Sequence, residues 1–131
     1  MADFITKDSG KRMDYASGMR RDIQDGKPRF YLMLTGDVPY DSQFLTRCAA
    51  LLTRGAEKYG ARNWQLANSP EELERFKESA FRHLVQWLCN DTEEDHAAAV
   101  FFNLLAAETT KHKIHEAHRA KLLRKKKWWQ R

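Results

Sequence analysis

Polar side chains set into apolar helical stretches are the residues of this 131-residue chain best able to do chemistry, because burying them is unfavourable unless something satisfies them. Asp95 and His96 lead into Ala97-Ala98-Ala99-Val100-Phe101-Phe102, and Asn103 follows His96 by seven residues, two helical turns along the same face. His83 borders a second apolar stripe, beside a row formed by Glu78, Arg82 and Gln86. Glu57 and Lys58 end a third apolar pattern and lead into Tyr59-Gly60-Ala61-Arg62-Asn63-Trp64. Carboxylates, imidazoles and an amide pointing inward from three helices would form a site in a bundle core. Its chemistry would be that of hard cations, since carboxylates and water suit Mg²⁺ or Mn²⁺, which bind phosphate oxygens of a substrate as well. Plainer roles stay open for each group: His83 as a satisfied core histidine, Asn103 as a helix-to-helix hydrogen bonder, Asp95 as a helix-dipole partner, Glu78 and Arg82 as an i,i+4 pair. Neither GxxxxGK[ST] nor GxGxxG occurs, so a bound nucleotide would depend on metal and on scattered Arg, Lys and Asn.

The elements that must position these residues are helical. Apolar residues recur at three- and four-residue steps from Phe44 to Leu52 and stop at Gly60, which predicts a helix over 42–59. Ser69-Pro70-Glu71-Glu72 combines an N-cap, a first-turn proline and a capping-box glutamate, and so starts a second helix over 70–89. That helix is expected to bury Leu73, Phe76, Ala80, Phe81, Leu84, Trp87 and Leu88 along one stripe. A third helix is expected to start at Thr92 as cap, with Glu93, Glu94 and Asp95 in its first turn, and to continue through Leu123. Its middle is apolar nearly all round, which suits a central helix or one covered by a second subunit, so a homo-oligomer is expected. The first forty residues are punctuated by glycine and proline without a sustained period, and no strand alternation is present. The chain therefore reads as all-α, with an irregular arm over 1–40, a helical catalytic domain over 41–118 and a basic tail over 119–131.

Charge divides the chain unevenly. The net charge is +5, yet residues 111–131 carry nine basic residues and one acidic, while residues 1–110 are net −3. Lys121 to Arg131 join six cations to Trp128-Trp129, a composition able to bind nucleic acid through phosphate attraction and base stacking. A small helical nucleic-acid-binding protein is thus the rival reading, with a solvated terminus as the plain one. No apolar run reaches the ~20 residues of a membrane span, and the first residues carry no secretory signal, so a cytoplasmic protein with no membrane partner is expected. Cys48 and Cys89 both sit in apolar helical patterns and are expected as reduced core thiols.

Four blocks, in order, resemble the phage-associated dATP/dGTP diphosphohydrolase family, related to the MazG-like all-α nucleoside triphosphate pyrophosphohydrolases. They are Gly26-Lys27-Pro28-Arg29-Phe30, then Arg54 to Gly60 with Arg62-Asn63-Trp64, then Ala80-Phe81-Arg82-His83-Leu84, then Glu94-Asp95-His96 with Asn103-Leu104-Leu105. The resemblance implies a MazG-like helical bundle that hydrolyses a purine deoxynucleoside triphosphate to monophosphate and pyrophosphate, with Mg²⁺ or Mn²⁺, in a phage-infected bacterial cell. It makes Glu57, Glu78, Glu94 and Asp95 the available metal carboxylates, Glu57 and Asp95 foremost. His83 and His96 become ligands, bases or phosphate contacts. Lys27, Arg29, Lys58, Arg62, Arg82 and Asn103 become substrate contacts, and Asn63 with Trp64 meets the sugar or base. The ExxE and ExxD pairs of MazG-like enzymes are not reproduced at Glu57 and Glu94, since Gly60 and Ala97 lie three residues after them; Glu71 and Glu74 do make an ExxE, in the first turns of the second helix, where a helix-dipole role explains them as well.

Overall fold

A computed structural model describes residues 3–130 and divides the chain into two compact units that meet in sequence at Met33 and Leu34. In the first, strand β1 (Arg12–Asp14) pairs antiparallel with strand β2 (Arg20–Asp22), Met13 opposite Arg21. The hairpin turns at Gly18, whose φ of 92° favours glycine and whose N–H donates to the Tyr15 carbonyl at 2.9 Å. Ion pairs stitch it together, Arg12 to Asp8 at 2.7 Å and Arg20 to Asp14 at 2.6 Å, and the Ser9 hydroxyl donates to Asp22. This small sheet corrects the expectation of no strands: three residues per strand are too few to print an alternation.

The second unit is three helices, so the fold is all-α. Helix α1 (Phe44–Tyr59) begins two residues later than the periodicity predicts, because Tyr40–Ser42 forms a 3-10 turn. Gln43 closes the entry, its amide donating to the Thr35 and Val38 carbonyls at 2.7 and 2.8 Å. Gly60, at φ 91°, ends α1, and Asn63–Leu66 form a further 3-10 turn. Helix α2 (Pro70–Leu88) starts on the predicted capping box: Ser69 Oγ accepts from the Glu72 N–H at 3.2 Å and donates to Glu72 Oε1 at 2.7 Å.

Helix α3 (His96–Trp129) starts three residues later than expected, its N-cap being Asp95 instead of Thr92, and Asp95 accepts from the Ala98 N–H at 3.2 Å. Asp91 Oδ1 takes the Glu93 N–H at 3.0 Å, which gives this backbone a local alternative to a helical turn. Glu93 and Glu94 therefore lie in the α2–α3 loop. Once begun, α3 runs for 34 residues, about 51 Å, and absorbs the expected tail as far as Trp129.

Helices α2 and α3 run antiparallel, as the pairings of His83 with His96 and of Phe76 with Phe102 require. The seam of α3 is built from small or polar residues. His96, Asn103 and Thr110, spaced by seven, are buried with Ala98, Ala99, Ala106 and Ala107. Asn103 and Thr110 satisfy themselves on their own helix, donating at 2.8 Å to the Ala99 and Ala106 carbonyls. The alanines let the neighbouring helices approach closely.

Two expectations about burial fail. On α2 the buried residue is His83, while Phe81 and Leu88 are 69% and 64% exposed and Leu84, Val85 and Trp87 are also exposed. At 100° per residue the row Phe81-Leu84-Val85-Leu88 centres about 150° from His83, on the side of α2 turned away from α3. Cys48 is buried, but Cys89, at the end of α2, is exposed and not a core thiol. No helix among the described residues is long and apolar enough to cross a membrane.

Candidate metal and nucleotide site

The α2–α3 junction brings two imidazoles together. His83, from the last turns of α2, and His96, the first residue of α3, face each other with their Nδ1 atoms 2.9 Å apart and ring centroids 5.1 Å apart. They are 9% and 2% exposed. Glu94, from the loop that replaces the expected first turn of α3, completes the group: one ligating atom from each of the three residues lies within 4.8 Å of the others. Burial holds the His83 imidazole below its ordinary pKa of 6.5, the Glu94 carboxylate opposing and Arg82 and His96 adding to the effect. The neutral form, with a lone pair to offer, is thereby favoured.

Asp91 stands behind His96. Its Oδ1 lies 3.3 Å from His96 Nε2, yet that nitrogen is buried without an aligned hydrogen bond, as is Gln86 Oε1. The Glu93 N–H and His96 hold the Asp91 carboxyl below its ordinary value. Asp91 lies between two apolar helical patterns, and nothing in the sequence around it signals its place beside the cluster.

Asp95 occupies a different setting from its neighbour Glu94. Its two oxygens accept from Arg47 Nε and Nη2 at 2.8 and 2.7 Å, and Oδ1 also caps α3. The Arg47 guanidinium, which also lies 5.3 Å from the Phe44 ring centroid, holds the Asp95 carboxyl below its ordinary value. Arg47 and Asp95 are 48 positions apart, and no local pattern announces their pairing. Burial pushes the nearby Cys48 thiol up, away from reactivity.

The remaining predicted residues scatter. Glu57 and Glu78 are exposed and enter no ion pair among the described residues. Arg82 reaches Ser79 Oγ at 3.4 Å instead of Glu78, and Lys58 Nζ lies 5.6 Å from the Tyr59 ring centroid. Arg62, Asn63 and Trp64 line a cavity of about 540 Å³ with Leu52, Tyr59 and Phe102, a volume in the range of small-ligand sites. Arg62 adopts the left-handed conformation at φ 60°, and Trp64 meets Phe102 edge to face at 5.9 Å. The cavity and the imidazole pair border α3 six residues apart, about 9 Å along its axis. Lys27 and Arg29 belong to the hairpin unit, where Lys27 Nζ is 3.8 Å from Asp22. Asn103 lies in the helix seam, with its amide donating to the Ala99 carbonyl.

Comparison with known proteins finds one family and no individual counterpart: no curated protein and no solved structure matches the chain. The family is the one that the four sequence blocks resemble, and its description is "dATP/dGTP diphosphohydrolase, N-terminal". With residues 17–124 matched, the chain belongs to the dATP/dGTP diphosphohydrolase family.

Proposed function

We propose that the protein is a metal-dependent diphosphohydrolase of purine deoxynucleoside triphosphates, converting dATP or dGTP and water to the monophosphate and pyrophosphate. The observation that carries this reading is the family match over residues 17–124. The donor chemistry of the α2–α3 junction fits a divalent cation, because two imidazoles and a carboxylate gather there and one buried ring nitrogen lacks a hydrogen-bond partner. Mg²⁺ or Mn²⁺, when bound, supplies charge neutralisation at the phosphates and a more acidic water.

The chain's own residues have the following parts. His83, His96 and Glu94 would hold a divalent cation, and the exposed carboxylates of Glu57 and Glu78 would offer oxygens to Mg²⁺ or Mn²⁺. Glu57, between the cavity-lining Ala56 and Tyr59, accepts the proton of the attacking water. The water oxygen bonds to the α-phosphorus as the bridging α–β bond breaks, and pyrophosphate leaves with that bond's electron pair. Lys58, Arg62 and Arg82 offset phosphate charge. Trp64 and Asn63 receive the base and sugar in the apolar cavity, where Trp64 offers an aromatic face. Asp95 and Asn103 act from behind, one fixing the start of α3 and the other lying in its seam.

A second copy of the chain covers the exposed row on α2 in this reading, since a monomer rarely leaves so many large apolar side chains to water. The setting is the cytoplasm of a phage-infected cell, and the role is control of its purine deoxynucleotides.

Incubation of the purified protein with each common dNTP and NTP, with Mg²⁺, Mn²⁺ or EDTA, followed by ion-exchange separation, tests this. Purine monophosphate and pyrophosphate formed only with metal, and at least 100-fold less in Glu94→Gln, is the expected result, by the usual scale of losing a charge-stabilising group. No turnover of any nucleotide, or orthophosphate as the product, overturns it.

A further inference from the structure

We propose that His83, Glu94 and His96 form a site selective for a later first-row transition dication over Mg²⁺, with Asp91 as the residue that positions His96. Imidazoles with Nδ1 atoms 2.9 Å apart can share a single proton, which makes one ring the donor and the other the acceptor. The same spacing suits two ligands of one ion. At metal–nitrogen distances of about 2.1 Å, nitrogens held at right angles lie about 3.0 Å apart, and those at a tetrahedral angle about 3.4 Å.

The unpartnered nitrogen of His96 points the same way. His96 is 2% exposed, and its Nε2 has no aligned partner although Asp91 Oδ1 is 3.3 Å away. If both Nδ1 lone pairs are given to an ion, each ring must carry its proton on Nε2. That change gives His96 an N–H 3.3 Å from Asp91 Oδ1, so that a small turn of either side chain converts an orphaned buried atom into a carboxylate–histidine–metal arrangement. Asp91 is itself fixed by the Glu93 N–H at 3.0 Å and by its own N–H, which donates to the Gln86 carbonyl at 3.0 Å.

Selectivity follows from the donors. Mg²⁺ takes oxygen ligands and releases its water reluctantly, whereas imidazole nitrogen suits ions such as Co²⁺, Ni²⁺ and Zn²⁺. Three protein ligands leave coordination positions for water or phosphate oxygen, and Glu94 is the exposed member, so those positions face solvent on its side. Use of the ion in hydrolysis rests on the function proposed above; its binding does not, and is read without nucleotide.

The test uses the full-length, EDTA-stripped protein and Co²⁺ as probe. One Co²⁺ per chain should produce ligand-field absorption that Zn²⁺ displaces and a thousandfold excess of Mg²⁺ does not. His83→Gln and His96→Gln should abolish the bands, and Asp91→Asn should weaken binding by about 10-fold or more. His115→Gln, on the exposed part of α3 where His112, His115 and His118 are spaced by three, should leave them unchanged. In case a variant fails to fold, long-range ¹H–¹⁵N correlation of the unmutated protein with Zn²⁺ should show two imidazoles ligated through Nδ1 and protonated at Nε2. Bands that survive loss of either histidine, displacement by Mg²⁺, absence of binding, or an Nδ1 proton retained with Zn²⁺ would each overturn the assignment. None of these results depends on turnover, and a failure here would leave hydrolysis with oxygen-bound Mg²⁺ or Mn²⁺ standing.

Discussion

Helix α3 is continuous, yet its two halves meet different surroundings. From His96 to Thr110 it contributes seven buried residues, four of them alanine and three polar; from Lys111 to Trp129 it contributes none. The first half packs on α1 and α2 and contributes His96 to the only cluster of three metal-ligating side chains among the described residues. The second half is exposed, strongly basic and without a sustained apolar face. What separates them is not helical propensity, which both possess, but the size and polarity of the side chains placed against neighbours. The buried polar groups of α3 concentrate in the half where they are forced to find partners in a nearly dry seam.

The sharpest way to break this contrast is to make one substitution in each half. Ala106 is fully buried, so Ala106→Leu should overfill the seam and lower unfolding stability by about 1–3 kcal/mol in urea titration. Ala117→Leu, on the exposed half, should change it by less than ~0.5 kcal/mol. Equal effects at both sites would erase the distinction.

The entry to the packed half is the next point of attack. Arg47→Ala should destabilise by about 1–2 kcal/mol, a charged hydrogen bond discounted for the partial exposure of both partners. The same variant should loosen the start of α3, with faster amide exchange at Ala98 and Ala99. Unchanged exchange there would detach Asp95 from its capping role.

A smaller effect is expected at the distant end of α2. Ser69→Ala removes a side-chain cap and should cost about 1 kcal/mol in the same titration. The Ser69 hydroxyl holds the Glu72 carboxyl below its ordinary value of 4.5, so its share of stability is complete above that pH and fades as pH falls through the depressed value. A cap variant with the same acid sensitivity as the parent protein would contradict this. The smallest effect should come from ending the chain after His118. Hydrolysis per chain should stay within about twofold, because the removed residues touch no part of the cluster. A collapse of activity would tie the exposed half to the site, and a selective loss of single-stranded DNA affinity would give it a separate job.

Local signals were legible in the sequence. Ser69-Pro70 and Gly60 announce their helix ends because a cap or a left-handed glycine acts within a turn of itself. His83, His96 and Asn103 were conspicuous as polar residues in apolar faces, and burial is what the structure gives them. Three things were hidden for physical reasons. The start of α3 at His96 depends on which of Asp91, Thr92 and Asp95 caps it; Asp91 takes the Glu93 N–H and Asp95 the Ala98 N–H, a choice that composition does not rank. The Arg47–Asp95 pair is a tertiary contact without a sequence period. Periodicity also shows that α2 has apolar faces without saying which one α3 covers, and the row with Phe81 and Leu88 was assigned to the core although a single chain leaves it in water.

The reaction itself is tested most directly by hydrolysing dGTP and dATP in ¹⁸O-labelled water with Mn²⁺ and weighing the products. Attack at the α-phosphorus places one ¹⁸O in the nucleoside monophosphate and none in the pyrophosphate. Label in the pyrophosphate, release of orthophosphate, or no turnover would contradict a diphosphohydrolase acting at the α–β bond.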